Sequence, residues 1–414
     1  MVAGPTSRGF DDPDTADGVQ WSGDAQPAAG HTAGATWLEL FYDLVFGASI
    51  LLVFGALSQS TGATVYLWYS VVVIVIFALW TATTLANNRL GDDTISKRLL
   101  VLTQMLAVII AVMTVGADGA MDDSIGVSSL GIALLSLSAL WWRVRRHDPL
   151  SGPLDRIPLW STLIGGLLLC ASLAVPDRWT TTAFGIGMVI GLLPIFLTYV
   201  PRVERTYPIN RNHLRERLGQ FTLIVLGEAF LEIVVHFTDG ALPRPAGLLL
   251  TFGIVTLIWW QYFSYIGPFQ LPTQGARLVS NLLGHAMVLL GIGGAASALS
   301  GVALSPMATF DHPPTTTVGA AVALSLALGY GGLTLVAASA RGGALIPLLL
   351  GTTAALTMVG VAIGSLADVP RDAGAAACAA LLVIALIGSA RIAARAARVS
   401  QDGGTGLGLQ PADS

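Results

Sequence analysis

Four carboxylates, Glu39, Asp43, Glu228 and Glu232, fall inside hydrophobic runs long enough to cross a bilayer, in a chain that holds only five glutamates. Acids at such positions are costly in hydrocarbon, and they mark proton relays, ion pathways or catalytic groups. Residues four apart share a helix face, so Glu39 projects with Asp43 and Glu228 with Glu232. Two acids that close do not both ionise easily in a low dielectric, which lets one member of each pair hold its proton. That arrangement suits a proton relay, and equally a general acid. At the helical rise, Asp43 lies about 10 Å from the start of its helix, Glu228 about 16 Å and Glu232 about 22 Å, so the site reaches toward the bilayer midplane.

Arg277, Asn281 and His285 form a second polar stripe at i, i+4 and i+8, with His285 about 10 Å deep and able to face Asp43. A neutral imidazole beside a protonated carboxyl can pass a proton in either direction. The other reading of His285 is an interhelical hydrogen bond that only holds helices together. Asp43, Glu228, Glu39, Glu232 and His285 are therefore the acid/base or relay candidates. Arg98, Arg217, Asn281 and Tyr262 are candidate substrate contacts. Arg217 lies eleven residues before Glu228, about 16 Å along the helix, so the two cannot touch. For Glu216 and Arg217 a cytoplasmic anchor is the simpler role, and Arg98 has the same one. The four acids then have no matching base at their depth.

What must position these residues is a membrane bundle. Hydrophobic residues make up 54% of the chain and charged ones 11%, with a mean hydropathy of +0.71; a soluble domain carries about 25% charged residues. Runs of about 17 to 25 apolar residues predict twelve helices, at 36–58, 63–86, 98–117, 125–144, 158–175, 180–200, 217–237, 245–266, 277–303, 317–338, 344–366 and 374–396. Of the 21 Lys and Arg residues, all but Arg178, Arg244 and Arg371 fall on one side of that arrangement. The positive-inside bias makes this side, with both termini, cytoplasmic.

The fold class is thus all-α, a polytopic bundle of about twelve helices read as two parallel six-helix repeats. Each half opens on a helix with two acids at i, i+4, and its second helix ends near a tryptophan, Trp80 or Trp259 and Trp260. An even number of spans per half makes the repeats parallel. The domain reading is an acidic disordered tail (1–34), membrane half one (35–200), a cytoplasmic linker (201–216), membrane half two (217–397) and a disordered tail (398–414). Gly187 with Gly191 and Ser325 with Gly329 have the small-xxx-small spacing of close helix packing.

Several chemistries lack their residues. Cys170 and Cys378 have no C-x-x-C spacing and read as buried thiols. There is no Walker A sequence, no H-E-x-x-H and no G-x-S-x-G elbow. Asp92 and Asp93 lack the third acid of a diphosphate-binding aspartate cluster. A metal site of Asp43, Glu228 and His285 is chemically possible, but none is assigned, and no cofactor is. No nucleic-acid-binding patch is visible, and the expected partners are the lipid bilayer and a small-molecule or lipid-like substrate.

The run WLELFYDLVFGASI (37–50) resembles the opening signature of the bacterial low-temperature-requirement A (LtrA) membrane proteins. NNRLGDDTISKRLL (87–100), HLRERLGQFTLIVLGEAFLEIV (213–234) and WWQYF (259–263) agree with it in order. The specific cores of that resemblance land on Glu39, Asp43, Glu216, Arg217, Gly227 and Glu228. It implies a polytopic membrane bundle. Around His285 the chain departs from the family's aromatic-x-His-x-Pro pattern and has LLGHAM, so no role is carried onto His285 from the resemblance.

Three functions fit these residues. One is a secondary transporter, possible in proton-coupled form, whose halves rock about the acids and His285. A second is an intramembrane enzyme that uses a protonated Asp43 or Glu228 as general acid on a lipid or isoprenoid substrate. The third is an accessory protein whose buried polar groups hold helices together.

Overall fold

Long runs of Leu, Val, Ile and Ala without interior breaks leave the backbone one way to satisfy its polar groups in an apolar medium, the α-helix. The computed structural model is accordingly all-helical among its described residues, with no strand there. It describes residues 36–58, 63–90, 94–116, 118–147, 152–206, 209–237, 245–266, 270–273, 275–304, 315–340, 346, 348–354, 356 and 371–404. The predicted acidic tail at 1–34 lies outside them, as does much of the predicted span at 344–366.

The elements are α1 (Trp37–Ser58), α2 (Ala63–Arg89), α3 (Ile95–Met113), α4 (Ser124–His147), α5 (Gly152–Cys170) and α6 (Thr180–Pro194). A π-helical turn (Ile195–Tyr199) joins α6 to α7 (Val200–Thr206). Then come α8 (Arg211–Phe237), α9 (Pro245–Tyr265), α10 (Gly275–Leu304), α11 (Thr315–Ser339) and α12 (Arg371–Gly404). Pro194 has no N–H for the helical ladder, and a π-helical turn follows it while the rod continues. α12 runs on past the predicted end at 396.

Among the described residues seven helices are long and apolar enough to cross a membrane: Trp37–Leu57, Thr64–Arg89, Ile95–Met113, Ser124–His147, Pro153–Ala174, Asp177–Arg205 and Gly275–Ser297. Their outward faces stay apolar, with Leu67 64% and Leu106 59% exposed. Leucines in that setting belong against hydrocarbon, not water.

Small residues set the helix spacing where α5 meets α6 and α10 meets α11. A Cβ on Gly165 would sit 2.6 Å from the Gly187 carbonyl oxygen and 2.7 Å from Gly191 Cα, so α5 and α6 touch backbone to backbone. Gly291 meets the Gly329 backbone in the same way across α10 and α11, beside Ser325. The small-xxx-small positions are thus packing contacts. α1 packs against α2, α3, α8 and α10, which puts its acids next to the start of α8.

The predicted linker at 201–216 is largely helical. Asn210 Oδ1 accepts the backbone N–H of His213 at 3.2 Å, capping α8 so that it starts at Arg211 and not at 217. Asn88 at the end of α2 secures that cap: its Nδ2 donates to the Asn210 carbonyl at 3.0 Å, and its Oδ1 accepts from the Asn210 N–H at 2.9 Å.

Candidate functional site

The first turn of α1 is closed by a capping box. Glu39 Oε2 accepts from the Thr36 N–H at 2.9 Å and its hydroxyl at 3.1 Å, and the Glu39 N–H points back to Thr36 Oγ1 at 3.3 Å. One turn on, Asp43 is fully buried. Both its oxygens are held by Arg217 of α8, Nε donating to Oδ2 at 2.9 Å and Nη2 to Oδ1 at 2.6 Å. This is the bidentate fork that a guanidinium makes with a carboxylate. Trp80 of α2 adds a third bond, Nε1 to Asp43 Oδ1 at 2.6 Å.

Arg217 also serves Glu39. Its Nη1 stands 3.0 Å from Glu39 Oε1, an ion-pair distance without hydrogen-bond alignment, and Nη2 reaches the Glu39 carbonyl at 3.4 Å. His213, one turn earlier on α8, completes the group with Nε2 3.4 Å from Glu39 Oε2. Asn88 Nδ2 lies 3.4 Å from His213 Nδ1. In the neutral ring that contact makes Nδ1 the acceptor, so Nε2 carries the hydrogen and donates to Glu39. Two carboxylates thus share one guanidinium, and a protonated His213 would balance the second.

This corrects two sequence expectations. Arg217 is not a cytoplasmic anchor but a fully buried partner, and Glu39 and Asp43 do have a base at their depth. The Asn210 cap makes the difference, since it sets Arg217 inside the helix facing α1. Glu39 and Asp43, one of which was expected to hold a proton, share the Arg217 cation.

Neutral groups brace the cluster. Trp80 stacks between Phe77 and Phe221, with ring centroids 5.6 and 4.6 Å away. Tyr42 donates to Gln104 Oε1 at 2.8 Å, Thr83 donates to the same oxygen at 3.0 Å, and Gln104 Nε2 donates to the Ala133 carbonyl at 3.2 Å. This ties α1, α2, α3 and α4 together behind the acids. Sequence reading missed Thr36, Trp80 and Gln104 as parts of the site. The T-x-x-E spacing at 36–39 was a readable signal for the first. A buried acid elsewhere, Asp155 of α5, accepts from Tyr199 in the π turn at 3.1 Å.

The other candidates lie apart. Tyr262, His285 and Asn281 form their own group on α9 and α10: the Tyr262 hydroxyl is 3.0 Å from His285 Nε2, and His285 Nδ1 is 2.9 Å from the Asn281 carbonyl. Asn281 Nδ2 donates to Ser339 Oγ at 2.9 Å and to the Val336 carbonyl at 3.3 Å. His285 therefore bonds to Tyr262 and Asn281, and Asp43 to Arg217 and Trp80. Arg98 is exposed at the start of α3. Glu228 and Glu232 lie on the described backbone of α8, and their side chains are outside the described residues. Among the described residues no group of three or more His, Cys, Asp or Glu could hold a metal ion.

The family model described as bacterial low temperature requirement A protein (LtrA) matches residues 34–386 of this chain. The chain is also similar to the uncharacterized protein RA0937 of Rhizobium meliloti (strain 1021), 28% identical over 243 residues. That match covers 55% of this chain and 58% of the relative, so the chain spans little more than half of the relative's length.

Proposed function

This chain belongs to the bacterial low temperature requirement A family, and from that premise we propose that it is a proton-coupled secondary transporter of a small polar or lipid-like solute. The seven long apolar helices among its described residues and its family make it a multi-pass membrane protein. The finer reading has twelve crossing helices in two parallel six-helix halves, with both termini cytoplasmic.

One observation carries the proposal: the buried Asp43–Arg217 pair joins α1 to α8, which in the two-half reading are the helices that open each half. A dry ion pair can be closed, as here, or opened when a solute engages one of its members, and alternating access needs such a bistable contact between halves. Catalysis needs a carboxyl free to face its substrate, whereas both oxygens of Asp43 are engaged by donors. At Asp43 transport is therefore favoured over acid catalysis, while the side chain of Glu228 lies outside the described residues.

The test uses the purified chain in vesicles loaded with a pH-reporting dye and challenged with fractions of a deproteinised bacterial extract. The expected result is a fraction-dependent change in luminal pH with the wild type. It should be absent from the doubly neutral Asp43→Asn/Arg217→Gln variant, which removes both charges together and so avoids leaving one unpaired. A wild-type protein that moves no protons with any fraction, or a double variant that moves them at the wild-type rate, would sink the proposal.

A further inference from the structure

We infer that the proton is carried not by Asp43 but by the His285–Tyr262 pair of α9 and α10, at a second site that opens on a small cavity; this rests on the transport reading above. The cavity has room for about one water molecule. It is walled by Arg215 and Leu218 of α8, Tyr262 of α9, Asn281 and His285 of α10, and Val336 of α11, among others.

The hydrogen bonds fix the ring's tautomer. The Asn281 carbonyl can only accept, so His285 Nδ1 carries a hydrogen and donates across 2.9 Å. In the neutral ring Nε2 is then bare, and the Tyr262 hydroxyl donates to it across 3.0 Å. A proton arriving on Tyr262 Oη from the cavity releases the tyrosine's own proton to Nε2. The O–H bond facing the ring breaks, an N–H bond forms, and the products are a neutral tyrosine and an imidazolium. The reverse step returns the proton to the cavity.

The wall offers an acceptor that can hold the water that brings or removes that proton. Asn281 is 1% exposed, its amide nitrogen is committed to α11, and its Oδ1 has no hydrogen-bond partner. It stands one turn before His285 on the same helix face, as an acceptor for a water or for the rotated tyrosine hydroxyl. An unpaired buried acceptor is costly unless something occupies the space beside it.

The charged side chains described around α10 are exposed or have partners of their own, and those of Glu228 and Glu232 on α8 lie outside the described residues. Arg215 is the charged side chain in the cavity wall, and Arg277 on α10 itself is exposed. On α1, Glu39 and Asp43 are held by Arg217, with His213 against Glu39. On α7, Glu204 is paired with Arg211 at 2.7 Å, and Arg202 and Arg205 are exposed. The titratable side chains of α11 and of the π turn are Tyr330 and Tyr199, and α2 sets Tyr66 against Ser325 of α11 at 2.8 Å. Asp43 is a poor carrier by comparison, because protonating it means giving up bonds to Arg217.

Nitrogen NMR of the histidine-labelled chain in lipid vesicles tests the assignment. One of the six ring systems, absent from the His285→Gln spectrum, should be neutral at neutral pH with hydrogen on Nδ1. Its Nε2 signal should shift in Tyr262→Phe and become protonated on acidification. If His285→Gln does not fold, the Tyr262→Phe difference spectrum identifies the ring. A ring with hydrogen on Nε2 at neutral pH, an Nε2 signal indifferent to Tyr262→Phe, or a ring that stays neutral until the protein unfolds overturns the inference. These readouts need no solute, so a correct ring in a protein that moves no protons overturns the transport reading alone.

Discussion

Removing one charge from the α1–α8 contact should cost far more than removing both. Asp43 and Arg217 have no exposed side-chain surface, and their two bonds are 2.9 and 2.6 Å long. Breaking a buried pair from one side costs about 3 to 5 kcal/mol, because the remaining charge keeps its desolvation penalty without a partner. Asp43→Asn belongs near about 3 kcal/mol on that scale, since Glu39 Oε1 still stands 3.0 Å from Arg217 Nη1. Arg217→Leu belongs near about 5 kcal/mol: it leaves Asp43 with Trp80 as its one remaining donor here, while Glu39 keeps Thr36 and His213. The combined Asp43→Asn/Arg217→Leu variant buries neither charge, and it should be more stable than Arg217→Leu alone. Unfolding in mixed micelles, followed by circular dichroism across the four proteins, closes the double-mutant cycle. If the double variant's loss equals the sum of the single losses within about 0.5 kcal/mol, the two residues do not interact and the site as described is wrong.

Two further substitutions probe the bracing and the packing. Gln104→Leu strands the Tyr42 hydroxyl in the interior and should cost about 1 to 3 kcal/mol, and adding Tyr42→Phe should recover part of it, because the Thr83 hydroxyl can turn to the Leu79 carbonyl, 3.0 Å away; the same unfolding assay reads both. Gly165→Leu drives a side chain into the backbone of α6, 2.6 Å from the Gly187 oxygen, where no rotamer change gives relief; it should cost more than the about 1 to 3 kcal/mol of ordinary overpacking and appear as loss of the monodisperse species in size-exclusion chromatography.

The helices were legible because hydropathy runs report them directly. Trp37–Leu57 and Ser124–His147 were read to within a few residues, since a bilayer-length apolar run has few alternatives to a helix. The partners of the acids were harder to read, for a physical reason. A charge-count argument puts each Arg where the loop prediction puts its backbone, and the apolar run beginning near 217 placed Arg217 at the water boundary. The true start of α8 is set by a polar device, Asn210 under Asn88, that hydropathy averages away. Once the helix begins at Arg211, Arg217 is interior, and its long side chain spans to a neighbouring helix that no periodicity within α8 can name. The same blindness separated His285 from its true neighbour. Depth along two helices suggested Asp43, whereas rotation about the helix axes decides the contact, and it turned His285 to Tyr262. The sequence therefore located both polar groups but joined Asp43 to His285, where the structure has an ion pair on α1 and α8 and a histidine–tyrosine pair on α9 and α10; the side chains of Glu228 and Glu232 lie outside the described residues. α8 stands between the two, with Arg217 turned to α1 and Arg215 and Leu218 in the wall of the cavity. A small rotation of α8 would act on both at once, which is the mechanical link that a coupled transporter requires.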